Sequence, residues 1–303
     1  MTTSCCSWIG VTCGTRHQRV TALNLSNMGL IGNIPPHLGN LSFLTSLDIR
    51  NNSFHGHLPN ALAFLRRLKV INLEDSNFSG EVPPCLGTLP KLQHLHLSNN
   101  SFSGTIPTSL CNISRLETLS LGANHFQGYI PKDIGNLTNL KSLSMDSNQL
   151  SGSIPFTIFN ISSLQVIDLS SNRLSGSLPA DMCNHHLPDL KELHLSKNQF
   201  HGQLPSGIYK CGQLQYLSLS VNKFIGSIPR DIGNLTMLKE LYLFDDNLGV
   251  SILMVVVEEN KRKATAAAGN NDGAGEEEDG DEEDCGGRFL GRDCCGGIVA
   301  YES

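Results

Sequence analysis

The chain lacks a long hydrophobic run and carries few charges. None of its 303 residues belongs to a stretch of about 20 consecutive apolar side chains, the length that a membrane-spanning helix needs. Residues 1–30 contain no apolar run of the secretory type. Charged residues make up 17% of the chain. We therefore expect a globular chain of one large or two ordinary domains, with no membrane span.

The basic excess typical of nucleic-acid-binding proteins is also missing. The formal net charge is −6, and it is spread unevenly. Residues 251–303 hold 13 acidic and 5 basic side chains, whereas residues 1–250 hold 15 acidic and 17 basic side chains. The body of the chain is thus nearly neutral and its end is acidic, so we do not expect a nucleic-acid partner.

Enzyme and zinc-site motifs are absent as well. The sequence contains neither H-R-D nor D-F-G, which a protein kinase needs, and no G-x-S-x-G nucleophile elbow. The ten cysteines do not fall into paired C-x-x-C spacing, so a structural zinc ion is not expected. These absences predict a non-catalytic protein with no metal and no cofactor.

What the sequence does contain is a repeat. Equivalent apolar positions recur at intervals of 24 residues six times, then once at 26, then twice at 24. Coil 5 begins "LETLSLGANHFQGYIP" and reads L-x-x-L-x-L-x-x-N-x-F-x-G-x-I-P, the pattern of a leucine-rich repeat. The ten coils, numbered 1 to 10, begin at Val20, Leu44, Leu68, Leu92, Leu116, Leu140, Leu164, Leu190, Leu214 and Leu238.

The repeat predicts an α/β solenoid, a leucine-rich-repeat superhelix with a parallel concave sheet. Leucines alternate with polar residues at the start of a coil, which indicates a short strand with one buried face. One coil cannot bury its leucines alone, so the coils must stack. The Asn at the ninth position can bond the backbone of the neighbouring coil and form a ladder, which Met28, Ser76 and Asp246 interrupt. The Gly four positions later permits a left-handed bend.

Three segments follow from this pattern. Residues 1–19 form a partial cysteine cap, and residues 20–249 form about ten repeats, the last of which is incomplete. Residues 250–303 contain a short apolar run and an acidic low-complexity tail that we expect to be disordered.

The cap is expected to close the first coil. A disulfide between Cys6 and Cys13, with a packed Trp8 between them, would cover that coil, and reduced thiols are the alternative. Cys183 and Cys211 lie in adjacent coils and could pair if their Cα atoms come within about 7 Å. The pairing of several cysteines stays open at this point: Cys5, Cys183, Cys211, Cys285, Cys294 and Cys295.

Two motifs carry a family resemblance. "CCSWIGVTC" resembles the N-terminal cap of plant leucine-rich-repeat receptors, and the G-x-I-P coils with "GNL[ST]" endings resemble the plant extracellular repeat class. The resemblance covers roughly residues 4–249 and indicates the ectodomain of a receptor-like kinase or receptor-like protein of the pattern-recognition group. Because family members carry a signal peptide, further repeats, a membrane helix and a Ser/Thr kinase, we expect a chain truncated at both ends.

The resemblance also implies a function. It implies a ligand-recognition module in defence or developmental signalling, located outside the cell or at the plasma membrane. A peptide or protein would bind its concave face, and a co-receptor kinase is a further expected partner. The alternative is a soluble enzyme inhibitor of the polygalacturonase-inhibitor type, which has a similar set of plant-type repeats.

Candidate ligand-binding residues lie on the concave face, where the non-leucine positions of the strands vary. His94 and His96 share that face, but a metal site is not expected without a third ligand. The candidates are Asp48, Arg50, Asn72, Glu74, His94, His96, Asp146, Asp168, His194 and Tyr216.

Several N-x-[ST] sequons recur at one position of the repeat, close to the end of the coil. They are candidates for N-glycosylation, although an Asn at this position could equally serve a turn. They are Asn40, Asn112, Asn136, Asn160 and Asn234.

Overall fold

The computed structural model describes residues 4–183, 187–228, 230–243 and 255–256. They form a solenoid with a twelve-stranded sheet and a nine-stranded sheet, so the predicted solenoid class and the parallel concave sheet are confirmed. Parts of the sequence-based predictions lie outside the described residues: the disordered tail, the ladder interruption at Asp246, and Cys285, Cys294 and Cys295.

The twelve-stranded sheet is the concave one. Its strands from successive coils are parallel and in register, so that Leu119 lies between Leu95 and Leu143. The first and last pairs of strands in the sheet are antiparallel. The strands are Val11–Cys13, Val20–Asn24, Ser46–Asp48, Val70–Asn72, His94–His96, Thr118–Ser120, Ser142–Ser144, Val166–Asp168, Glu192–His194, Tyr216–Ser218, Glu240–Tyr242 and Val255–Val256.

The nine-stranded sheet was not predicted from the sequence. Its strands come after the ninth position of each coil. They are parallel to one another and stack in sequence order along the solenoid. Phe78, Phe102 and Phe126 point inward from it, are at most 1% exposed, and stack with ring centres 6.2 and 6.4 Å apart. The strands are Ile31–Gly32, Ser53–Gly56, Asn77–Glu81, Ser101–Thr105, His125–Tyr129, Gln149–Gly152, Arg173–Gly176, Gln199–Gly202 and Lys223–Phe224.

Short 3₁₀ helices form the outer layer of the coils. Where the structure describes their start in the repeats, a proline immediately precedes them, and its fixed φ directs the chain away from the sheet. None of the described helices is long and apolar enough to cross a bilayer. They are Cys5–Ser7, Pro36–Asn40, Asn60–Phe64, Pro84–Thr88, Thr108–Asn112, Lys132–Asn136, Phe156–Asn160, Ser206–Lys210 and Arg230–Asn234.

The asparagine ladder is present in the structure. Asn124, 5% exposed, donates from Nδ2 to the carbonyl of Leu97 in the previous coil at 3.0 Å and to that of Leu121 in its own coil at 3.1 Å. Its Oδ1 accepts from the Phe102 N–H at 2.9 Å. One side chain thus satisfies buried backbone groups of two coils, which is why Asn recurs there.

Two positions of the repeat adopt left-handed backbone in successive coils. Gly152 has φ +77°, and a Cβ there would lie 2.5 Å from the Tyr129 ring, so glycine is required by both dihedral and space. The residue before the ladder Asn also has positive φ, which the sequence reading missed. Asn and Asp tolerate this conformation best, and the position holds Asn27, Asn51, Asp75, Asn99, Ala123, Ser147, Ser171, Lys197 and Val221.

The cap closes the first coil by strand pairing. Cys6 and Cys13 are joined by a disulfide with Cα atoms 5.5 Å apart, and Val11–Cys13 pairs with the first concave strand. The expected packing of Trp8 is wrong, because its side chain is 60% exposed. A second disulfide links Cys183 and Cys211, whose Cα atoms are 5.3 Å apart.

Candidate ligand-binding face

The concave strands alternate between core and surface. In the strand of coil 4, Leu95 is fully buried whereas His94 and His96 are half-buried on the concave side. The same alternation holds at Thr118–Ser120 and Glu192–His194. Because neighbouring strands are in register, the variable side chains form continuous rows across the sheet.

Glu74 is the centre of a polar network in coils 2 to 5. His96 Nδ1 lies 3.4 Å from its Oε1, and Ser120 Oγ donates to the same oxygen at 3.0 Å. The hydrogen bond from His96 holds the pKa of Glu74 below its usual value against the opposing effect of burial, and Ser120 and Arg50 act in the same direction. The carboxylate is therefore ionised and fixed in place.

The two concave histidines lie beside this carboxylate. His94 Nδ1 is 3.1 Å from Thr118 Oγ1, and the rings of His94 and His96 stack 6.2 Å apart. Burial lowers the pKa of His94, so the ring is largely neutral at neutral pH. Among the residues that the structure describes, no group of three metal-ligating side chains includes His94 or His96.

Three of the predicted ligand residues support the backbone. Oδ1 of Asp48, Asn72 or Asp168 accepts from the N–H two residues later, at 3.3, 3.1 and 3.0 Å. This is an Asx turn, which fixes the chain as it leaves the strand. Asn72 is only 6% exposed, so little of its side chain is accessible to a ligand. The recurrence of Asn or Asp at the end of the strand is the sequence signal for this turn.

The Asp146 side chain lies in the space left by the missing Cβ of Gly122, a contact that was not predicted from the sequence. Ser144 Oγ donates to its Oδ1 at 2.7 Å, and a Cβ on Gly122 would lie 2.2 Å from the same oxygen. Glycine in coil 5 therefore makes room for the carboxylate of coil 6. Ser144 also pairs in register with Asp168, so Asp146 follows the strand next to the one that ends at Asp168.

The carboxyl-terminal part of the face combines carboxylates with tyrosines. His194 Nε2 lies 3.4 Å from Glu192 Oε2, and Tyr216 pairs in register with Glu192 and Glu240. Tyr242 donates its hydroxyl to Glu240 at 2.6 Å, which raises the pKa of Tyr242. The predicted residues thus fall into two groups, one in coils 2 to 4 and one in coils 6 to 9, with none of them in coil 5.

The five predicted glycosylation sequons lie away from this face. Each asparagine is the last residue of a 3₁₀ helix, and each is exposed. The structure therefore leaves room for a glycan at these positions: Asn40, Asn112, Asn136, Asn160 and Asn234.

Comparison with protein families agrees with the repeat pattern. The family described as leucine rich repeat matches residues 138–200. A second model of the same description matches six further segments, and the two together cover more than half of the chain. The segments are 19–41, 43–65, 67–89, 91–113, 115–137 and 213–235.

Individual proteins are similar over different lengths. The LRR receptor-like serine/threonine-protein kinase EFR of Arabidopsis thaliana is 62% identical over 39 residues, which cover 13% of this chain and 4% of that kinase. The ectodomain of GASSHO1/SCHENGEN3 from Arabidopsis thaliana, in complex with CASPARIAN STRIP INTEGRITY FACTOR 2, is 37% identical with a TM-score of 0.78 and covers 80% of this chain. The Arabidopsis HAESA ectodomain with an IDA peptide hormone is 30% identical with a TM-score of 0.72. The similarity spans 29% and 44% of those two ectodomains.

Proposed function

The chain belongs to the leucine-rich-repeat family, is homologous to plant leucine-rich-repeat receptor kinases, and we propose that it is a non-catalytic module that recognises a peptide or protein ligand on its concave face. The relatives that support this proposal are receptor ectodomains, one of them bound to a peptide hormone. An extracellular location and a co-receptor kinase as second partner belong to the same proposal.

One observation carries the proposal. On the concave sheet the outward positions hold varied polar and aromatic side chains in register, whereas from coil 2 onward the positions between them are leucine-like and buried. An extended ligand lying across the strands would contact one coil after another. The two groups around Glu74 and around Tyr216 offer it separate contacts with different chemistry.

The test is a binding measurement with two matched variants. A peptide selected from a synthetic library for binding to the full chain is titrated against Arg50→Ala/His96→Ala, which removes two side chains beside Glu74. We expect a loss of roughly tenfold or more in affinity, because a few residues carry most binding energy. Circular dichroism should be unchanged.

The control replaces the same residue types on the other sheet. Arg173→Ala/His201→Ala alters exposed side chains of the nine-stranded sheet and should leave affinity within about twofold. Equal losses in both variants would place the ligand elsewhere, and inhibition of a polygalacturonase by the wild-type chain would favour the inhibitor alternative.

We further propose N-linked glycans at Asn40, Asn112, Asn136, Asn160 and Asn234, supported by their exposure at the ends of the 3₁₀ helices. Secretion from plant cells followed by mass spectrometry of the peptides tests this. Unmodified asparagines in secreted protein would contradict it.

A further inference from the structure

A row of exposed cations follows one edge of the solenoid from Arg19 to Arg115, along coils 1 to 4. It lies where the chain passes from a 3₁₀ helix into a concave strand, at the end of one coil and the start of the next. We name it the basic strip. It consists of Arg19, Arg66, Arg67, Lys69, Lys91 and Arg115, all of which are exposed.

Side-chain contacts between coils hold part of the strip in place. Phe43 occupies the same repeat position as Arg19 and Arg67, and the guanidinium carbons of these two lie 5.0 and 4.2 Å from the centre of its ring. Such cation–π contacts fix the direction of a long side chain. Arg66 also donates from Nη1 to the Thr88 carbonyl at 3.0 Å. The charges are thus partly preorganised for a ligand.

No carboxylate of the same coils neutralises the strip. Residues 19–115 contain four acidic side chains, and these lie on the concave face, in the turn after it or in the nine-stranded sheet: Asp48, Glu74, Asp75 and Glu81. Among the described residues, none of the six strip cations forms an ion pair. The strip ends at Arg115, because in coil 5 Glu117 occupies the repeat position of Lys69 and pairs with Lys141 of coil 6 at 2.7 Å.

Along one repeat position the residues are Arg19, Phe43, Arg67, Lys91 and Arg115, so four of five successive positions carry a cation. Successive coils repeat at about the distance between strands, ~4.8 Å. Like charges placed this closely raise the local positive potential and attract a polyanion, even though the body as a whole is nearly neutral.

We propose that the basic strip binds a linear acidic polysaccharide that runs along the axis of the solenoid. A row of cations on successive coils is well matched by a linear polymer whose carboxylates recur along its length. The strip is narrow, and the acidic side chains of the adjoining concave face would repel a broad, highly charged duplex. Phe64, which is 69% exposed and lines a shallow pocket with Ala63, Arg66 and Thr88, presents an aromatic face against which a sugar ring can stack.

This site is separate from the concave ligand face. The two surfaces use different residues of the same coils, so a polymer on the strip and a peptide on the concave face could bind together. A failure of the peptide-binding proposal would therefore not affect the polysaccharide proposal, and the reverse also holds.

The probe is polygalacturonate of defined length, titrated calorimetrically against the full chain. Wild-type protein should bind it with an affinity that falls steeply as salt rises, because ion pairs with a polyanion release counterions. The variant Arg66→Gln/Arg67→Gln/Lys69→Gln/Lys91→Gln should lose roughly tenfold or more in affinity. Circular dichroism checks that it is folded.

The matched control removes the same charge elsewhere. Lys191→Gln/Lys197→Gln/Lys210→Gln/Lys223→Gln changes four exposed lysines of later coils and should stay within about twofold of wild type. Arg50→Ala/His96→Ala should also retain binding to the polymer, which separates this site from the peptide site.

Several results would overturn the proposal. Equal losses in the strip variant and the lysine control would mean attraction by net charge alone. Tighter binding of poly-glutamate would indicate an acidic protein partner, and tighter binding of duplex DNA a nucleic acid. Absence of polygalacturonate binding at low salt would also reject it.

Discussion

Coils 3 and 6 are held to their neighbours by different devices. Coil 3 has Ser76 in place of the ladder asparagine, and its Phe78 stacks between Phe54 and Phe102 at 6.3 and 6.2 Å. Coil 6 has the reverse arrangement. Its Asn148 bonds the Leu121 carbonyl at 3.0 Å, whereas Leu150 takes the position of the phenylalanine.

The difference shows that the solenoid has two independent periodic supports. From coil 2 to coil 9, every coil has the ladder asparagine, the stacked phenylalanine, or both. Coil 1 has neither, since Met28 and Leu30 take the two positions, and there the cysteine cap pairs with the first strand. A lost support is tolerated where the other remains, because each coil contacts only its neighbours.

Removing the remaining support of coil 3 should have the largest effect. Phe78→Ala leaves a cavity in a fully buried stack and should lower the free energy of unfolding by about 3–5 kcal/mol. We expect a greater loss than for Phe102→Ala, whose coil keeps Asn100. Urea unfolding followed by circular dichroism measures both. Exposed Phe64→Ala is the control, and a larger loss for Phe102→Ala would contradict the comparison.

The cap should matter next, because coil 1 depends on it. Cys13→Ser opens a disulfide with a sequence separation of 7 and should cost about 2–3 kcal/mol by the chain-entropy estimate. The melting temperature of the purified, oxidised protein measures this effect. Cys5→Ser, which changes an exposed free thiol, should leave the melting curve unchanged. An equal shift in both variants would show that the disulfide does not support coil 1.

Breaking the ladder in coil 6 should have an intermediate effect. Asn148→Ser gives coil 6 a serine at the ladder position, as in coil 3, but coil 6 has no stacked phenylalanine to compensate. The Phe126 N–H and the Leu121 carbonyl then lose their hydrogen bonds to the Asn148 side chain. We expect a loss of about 2 kcal/mol, since unsatisfied buried polar groups are costly. Gln149→Ser, at the exposed neighbouring position, is the control for urea unfolding. No loss in Asn148→Ser would remove the ladder as a support.

Restoring the ladder in coil 3 should give the smallest change, a gain. Ser76→Asn can bond the Ile49 carbonyl and the Phe54 N–H as Asn100 bonds the equivalent groups of Leu73 and Phe78. We expect about 1 kcal/mol of added stability. Ser101→Asn at an exposed position should give none. A lower urea midpoint for Ser76→Asn would mean that coil 3 is packed differently from its neighbours.

The repeat made much of the fold predictable. The 24-residue period, the buried leucines and the ladder asparagine could be predicted, because every coil must bury the same positions against its neighbours. The nine-stranded sheet was not predicted. Its short strands lack a strict alternation of apolar and polar residues, so in the sequence of one coil they cannot be told from a loop. Trp8 was expected to pack, but burial of a single side chain in a cap has no repeated pattern to confirm it.

The candidate site was only partly predictable. The sequence located the concave rows, yet it could not show that Asp48 and Asp168 accept from their own backbone, or that Gly122 makes room for Asp146. Those roles depend on side-chain geometry between coils.

By itself, the sequence determined the stack of coils, because burial of leucines every 24 residues has one solution for a chain whose coils cannot be stable alone. Only the tertiary structure decided which polar groups meet. Ser120 donates to Glu74, 46 residues away in the chain, and Arg19 and Arg67 from different coils each contact the Phe43 ring. Such contacts depend on the register of neighbouring strands and on the rotamer of each side chain. The 24-residue period fixes the register of the backbone, but it does not fix the rotamers.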